Sequence, residues 1–105
     1  MELMYQNVVE MMDRCCEEYA DLPMYGVPDN GDYNWMTFRD FAETVAELRG
    51  GLDLLGVGVG DRVGIISNNM IPWATMAYAT FSAGAVYVPM YTQQNKEQWQ
   101  YILND

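Results

Sequence analysis

Histidine is absent, and the only cysteines, Cys15 and Cys16, are adjacent. Without an imidazole the chain cannot assemble a Ser-His-Asp triad or a histidine-containing zinc site by itself. Neighbouring helical side chains point about 100° apart, so a mutual disulfide is awkward and both cysteines read as reduced thiols of a cytoplasmic protein. Bases are scarce: five Lys and Arg face fifteen Asp and Glu, a net charge of −10. That imbalance repels phosphate backbones and anionic lipid, which excludes sequence-independent nucleic-acid binding. Met1-Glu2-Leu3-Met4 has neither a basic segment nor a long apolar run, so no signal peptide is expected. Ile71 to Met90 carries no charge over the length of a bilayer span. It is broken by Pro72, Pro89 and Gly84 and has no flanking Lys/Arg cluster, so a buried helix followed by a buried strand is expected and not a transmembrane segment.

What is present suits one globular domain. The 105 residues are 50% hydrophobic and 19% charged, too apolar for a disordered tail. Twelve of the fifteen acids lie in residues 1–53, which predicts a solvated face in the first half and a more buried second half.

The punctuation of the chain predicts an α/β order of helix, hairpin, helix and then a β-α-β-α unit. Asn7 with Glu10 opens a first helix in the manner of a capping box, Tyr5, Val8, Met12, Cys15 and Tyr19 form its inner stripe, and Pro23 ends it. Met24–Val27 and Tyr33–Phe38 flank Pro28-Asp29-Asn30-Gly31-Asp32, a hairpin signal centred on Asn-Gly. Thr37 and Asp40 cap a helix to Leu55, with Phe38, Phe41, Val45, Leu48, Leu52 and Leu55 inward and Met36 stapled to Phe41. Gly50 and Gly51 lie inside that helix at a cost of roughly 1 kcal/mol each, which predicts another backbone close by. Arg62–Ser67 reads as a strand buried on both faces, Trp73–Ala83 as an alanine-rich helix with Pro72 in its first turn, and Ala85–Met90 as a second strand. Asn95 with Gln98 opens a last helix whose inner face is Trp99, Ile102 and Leu103.

Two motifs invite chemistry and fail on their context. Gly56-Val57-Gly58-Val59-Gly60 follows a helix and precedes a strand, the reverse of a dinucleotide fingerprint, and lacks the Lys-Ser/Thr of a phosphate loop. Asp29 and Asp32 lack the alternating ligand spacing and closing Glu of a calcium loop. Trp73, Trp99 and Tyr101 are expected to be packing residues, and Asn69 a loop residue. Arg62 is free to pair with an acid that the sequence does not specify.

Four pieces stand in order: Thr37-Phe38-Arg39-Asp40-Phe41, the run Leu52-Asp53-Leu54-Leu55-Gly56 through Gly60-Asp61-Arg62-Val63, Asn69 with Trp73, and Gly84-Ala85-Val86-Tyr87-Val88-Pro89-Met90-Tyr91. Together they resemble the opening part of the AMP-forming acyl-CoA synthetases, the adenylate-forming ligases. The ending Tyr101-Ile102-Leu103-Asn104-Asp105 is most similar to the long-chain fatty-acid ligases. Pro72, where many relatives have an acid, and Gly50-Gly51, in place of an alanine-rich pair, depart from the pattern in packing or local loop geometry.

The resemblance implies that residues 1–105 are the N-terminal portion of a partial AMP-binding domain, severed by a truncated reading frame, a split gene or an artificial cut. The full-length family activates a fatty acid with ATP and Mg to an acyl-adenylate and passes the acyl group to coenzyme A. Its phosphate loop, ribose-binding acid and catalytic lysine have no counterpart in this sequence, so no catalytic, cofactor-binding or metal residue is assigned. The expected partner is the remainder of the ligase domain. The rival reading is a self-standing acidic protein-interaction module, for which nine methionines would supply an adaptable surface.

Overall fold

A computed structural model describes residues 4–105; the Met1-Glu2-Leu3 part of the leader reading lies outside the described residues. The elements run α1 (Val8–Glu18), β1 (Pro23–Asp29), β2 (Asp32–Thr37), α2 (Phe38–Leu54), β3 (Arg62–Ile66), α3 (Ile71–Ser82), β4 (Val86–Met90) and α4 (Lys96–Asn104). This is the expected α/β order. No helix among the described residues is long and apolar enough to cross a membrane.

Local chemistry accounts for the boundaries. Thr37 accepts the Asp40 amide at 3.1 Å and Asp40 returns the bond to Thr37 N–H, closing the expected capping box; Asn95 and Gln98 do the same for α4. Asn7 caps α1 by accepting Glu10 N–H at 2.8 Å, but the Glu10 carboxylate reaches Gln6 N–H, one residue earlier than a capping box requires. The α1 helix ends at Glu18, ahead of Pro23, which instead begins β1. The hairpin is tighter than the sequence suggests. Asp29 pairs with Asp32 across a two-residue turn in which Asn30 (φ 49°) and Gly31 (φ 83°) both take the left-handed conformation. That pairing of signs is the primed turn whose twist matches the strands.

The β3 and β4 strands pair in parallel, Arg62 opposite Val86 through Ile66 opposite Met90, and α3 is their crossover. Parallel strands place registered side chains on one side. Tyr87, opposite Val63, donates its hydroxyl to the Trp73 carbonyl at 2.9 Å and meets the rings of Trp73 and Phe81, so this face lies under α3. A side chain at Gly64 would meet Met90 and Leu103 instead, so α4 lies on the other face.

The core sits where α2 and α3 meet. Phe41 is fully buried and touches the rings of Tyr25 and Tyr78, while Ala77, Ala79 and Thr80 on α3 are buried beside it. Thr75 and Thr80 satisfy their buried hydroxyls by donating to carbonyls one turn back. Most buried side chains do fall in the second half, as the charge distribution predicts.

Several expectations about faces are overturned. On α1 the buried position is Cys16, whereas Val8 and Tyr19 are exposed. Leu55 is 82% exposed at the end of the α2 stripe, and Leu103 is exposed on α4. The β3 strand is not buried on both faces: Arg62, Gly64 and Ile66 are exposed and only Val63 and Ile65 are half-covered. Gly50 and Gly51 have nothing within 4 Å of where a side chain would start, so no backbone approaches them. The shared reason is that too few elements surround these surfaces to cover them.

Candidate functional site

In open parallel sheets, ligands bind beyond the carboxyl ends of the strands, where successive crossovers leave on opposite faces. The β3–β4 pair has that arrangement, with α3 and α4 flanking opposite faces. The loops there are Ser67-Asn68-Asn69 after β3 and Tyr91-Thr92-Gln93-Gln94 after β4. The Thr92 hydroxyl donates to Asn68 Oδ1 at 3.4 Å, joining the two loops. Trp99 donates its ring N–H to the Tyr91 carbonyl at 2.9 Å and fixes α4 against the end of β4. Beside these loops, Asn69, Met70 and Ile71 form one wall of a cleft of about 460 Å³, and Tyr25 to Pro28 of β1 form the other. Amide and hydroxyl groups line this end of the sheet, with no carboxylate, amine or thiol in either loop. Such a lining can orient a ligand by neutral hydrogen bonds.

A second cleft, of about 300 Å³, lies between α1, α2 and α3, walled by Val9, Met12, Cys16, Phe41, Val45 and Tyr78. Arg49 stands at its rim and donates to the Ser82 carbonyl near the end of α3. Cys16 is the nucleophile-bearing residue here, but burial and, secondarily, the Asp13 carboxylate push its thiol pKa up. Since the thiolate is the reactive form, Cys16 is a packing residue. Its alkylation in a Cys15→Ser chain should be markedly slower in the native state than in urea at pH 8, with the native rate profile displaced toward higher pH. Equal rates measured with iodoacetamide in the two states would remove the argument.

The residues singled out in the sequence are not brought together. The glycine loop connects α2 to β3, and Gly58 N–H donates to the Asp61 carboxylate at 2.7 Å. An amide already held by the Asp61 carboxylate, whose charge would repel phosphate, does not fit a triphosphate. Among the described residues no cluster of His, Cys, Asp and Glu could hold a metal ion, and Asp29 and Asp32 form a hairpin end. The ion pairs among the described residues are Arg14 with Glu10 and Arg39 with Asp21; Arg62 joins neither. Trp73 and Trp99 are half-buried packing residues as expected, but Tyr101 is 76% exposed. The strand-end loops were legible only in part: sequence identifies Asn69 as a loop residue, but Thr92 carries no signal until the parallel pairing sets it beside Asn68.

Comparison with known proteins gives a consistent result. The model of the family described as AMP-binding enzyme matches residues 12–105. The long-chain-fatty-acid–CoA ligase FadD15 of Mycobacterium tuberculosis is 32% identical over 101 residues, covering 96% of this chain and 17% of that protein. The peroxisomal long chain acyl-CoA synthetase 6 of Arabidopsis thaliana is 32% identical over 74 residues, 70% of this chain and 11% of its own length. Among solved structures, the anthranilate CoA ligase AuaEII bound to anthranoyl-AMP superposes with a TM-score of 0.84 at 26% identity, over 97% of this chain and 19% of that one. The fatty acyl CoA synthetase of Mycobacterium tuberculosis gives 0.83 at 26% identity, over 92% and 19%. The chain thus spans less than a fifth of each of these relatives.

Proposed function

Because the chain belongs to the AMP-binding enzyme family, we propose that it is the opening structural segment of an ATP-dependent acid–thiol ligase acting on a fatty acid. In that role it frames the large domain and carries none of the reacting groups. The whole enzyme would use ATP, Mg and coenzyme A; among the described residues no cluster could hold a metal ion, and no step is assigned to them. Two reduced thiols suit a cytoplasmic setting.

One observation carries this reading: the folded chain is too open for its mass. Its accessible surface is 7781 Å², against about 6,000 Å² for a compact protein of 12 kDa. Its radius of gyration is 15.7 Å, against about 13 Å for a compact chain of this length. The excess surface is the size of an obligate interface. It includes a parallel pair with both outer edges open, an arrangement parallel strands avoid. The remainder of a ligase domain is the partner that such a surface fits.

The test is an assay of the purified chain with a long-chain fatty acid, ATP, Mg and coenzyme A, paired with sequencing downstream of codon 105. No thioester above the protein-free control is expected, together with a downstream glycine- and threonine-rich phosphate loop in some frame. Thioester formation by the chain alone would overturn the reading. So would a well-protected monomer in amide exchange with no ligase sequence downstream, which is the behaviour of an independent interaction module.

A further inference from the structure

The two outer edges of the β3–β4 pair are not equivalent. Val86 N–H donates to the Asp61 carbonyl at 2.7 Å, so Val86 turns its backbone polar groups toward β3. Along each strand of a parallel pair, successive residues turn those groups to opposite sides. With Arg62 opposite Val86 and Ile66 opposite Met90, Val63 and Ile65 bond to β4, whereas Arg62, Gly64 and Ile66 turn their N–H and C=O groups to the free edge. All three are exposed. On β4 the outward positions are Tyr87, Pro89 and Tyr91. Proline has no N–H, and the Tyr91 N–H is already held by Gln94 Oε1 at 3.0 Å. Proline within a sheet sits where its missing donor faces no partner strand. The β4 rim is therefore blunted, and the β3 rim is complete.

The last helix points the same way. It starts beyond β4, where the Trp99 ring N–H holds the Tyr91 carbonyl at 2.9 Å. One turn later Leu103 lies over β3, its methyl 3.4 Å from where a Cβ on Gly64 would stand. The chain thus crosses from β4 back toward β3, on the face opposite α3. Right-handed crossovers on opposite faces travel in opposite directions across a sheet. Since α3 carries the chain from β3 out to β4, a strand following α4 falls on the far side of β3. We infer that the sheet grows at the free edge of β3, which accepts a parallel strand of about five residues and becomes a central strand. The source of that strand, the remainder of the ligase domain beyond α4, rests on the ligase reading. Its chemistry follows from β3 itself. Val63, Gly64, Ile65 and Ile66 form an unbroken apolar run, the pattern of a parallel strand covered on both faces, so the strand that joins it is apolar and β-branched on both faces too.

The experiment extends the chain after Asp105 by about five Gly/Ser residues and the strand Thr-Val-Ile-Val-Thr, a tether that holds the strand at millimolar effective concentration and lets it reach either edge. The control carries Thr-Pro-Ser-Pro-Thr in its place. Amide exchange is followed residue by residue by NMR. The Gly64 and Ile66 amides should exchange at least about tenfold more slowly with the strand than with the control. Tyr87 should be unchanged, and Overhauser contacts should show the strand running parallel to β3. Ile66→Pro, which removes a donor from the rim and none from the β3–β4 ladder, should abolish most of the gain at Gly64 while Val63 and Ile65 keep their protection. The proposal is overturned if the protection appears at Tyr87, if the strand lies antiparallel, or if neither edge gains protection. It is also overturned if the gain at Gly64 falls on dilution of the protein, which would mean that the edges of two copies pair. Absence of protection at Val63 and Ile65 in every form would overturn it too, because the edge exists only where β3 and β4 pair. Neither thioester formation nor the sequence past codon 105 enters these readouts. Docking at β3 in a chain with no ligase sequence downstream would uphold the edge and reject only the ligase reading.

Discussion

Replacing Phe41 with alanine should unfold much of the chain, with a loss of about 3–5 kcal/mol from a total that for domains of this size is about 5–15 kcal/mol. Phe41 is fully buried and bridges Tyr25 of β1 to Tyr78 of α3. It is the side chain through which the hairpin, α2 and α3 share one core. Its removal also opens the wall of the neighbouring 300 Å³ cleft, so the vacated space joins that cleft and cannot close by a small shift. Urea titration of the purified protein, followed by far-ultraviolet circular dichroism, should show the midpoint collapse or the cooperative transition vanish. Phe41→Leu should retain more than half of the wild-type stability. A loss below about 1 kcal/mol, the scale of an ordinary surface substitution, would mean that these helices are not held together by this contact.

Gly84→Val should be the second most damaging single change. Gly84 joins α3 to β4 with φ at 70°, a left-handed conformation that costs an L-residue roughly 1–2 kcal/mol and a β-branched one more. The new Cβ would stand 3.1 Å from a methyl of Val59, in a turn where Gly84 accepts the Gly60 N–H at 2.9 Å. That bond and the Val86 N–H bond to Asp61 set the start of the parallel register. A total loss of about 2–3 kcal/mol is expected. Gly84→Asn should lose far less, because asparagine tolerates this backbone region. Thermal unfolding of the two variants separates backbone strain from crowding: equal losses would place the cause in the contact with Val59, and a negligible loss for valine would refute both.

The contrast between what sequence reveals here and what it conceals follows from the range of the forces involved. Thr37 with Asp40, Asn95 with Gln98, and Asn30-Gly31 act within three or four residues, so their spacing alone predicts two helix starts and a tight turn. The membership of a helical stripe is local too, but its extent of burial is not. Phe41 and Leu52 are covered whereas Leu55, on the same stripe, is not. On α1, Val9, Met12 and Cys16 recur as regularly as Val8, Met12 and Cys15, and only packing against α2 and α3 decides between the two stripes. Gly50 and Gly51 lower helix propensity in a way the sequence displays, but nothing in propensity says whether a neighbour fills the space. The strand-end loops remain the least legible part. Asn68 and Thr92 are 24 positions apart, and their meeting depends entirely on parallel pairing.

That pairing also orders events in time. The β1–β2 hairpin closes through two residues and can zip within about 1–10 μs. No turn can bring β3 to β4: they run the same way and are joined through α3, so the pairing of Arg62 with Val86 waits on a longer search. On a ribosome adding about 5–20 residues per second, the hairpin is finished almost as it emerges. The parallel pair, complete only when Met90 has cleared the exit tunnel, then presents two unsatisfied rims to solvent, and chaperones that hold extended apolar strands would find their earliest purchase on this nascent chain there.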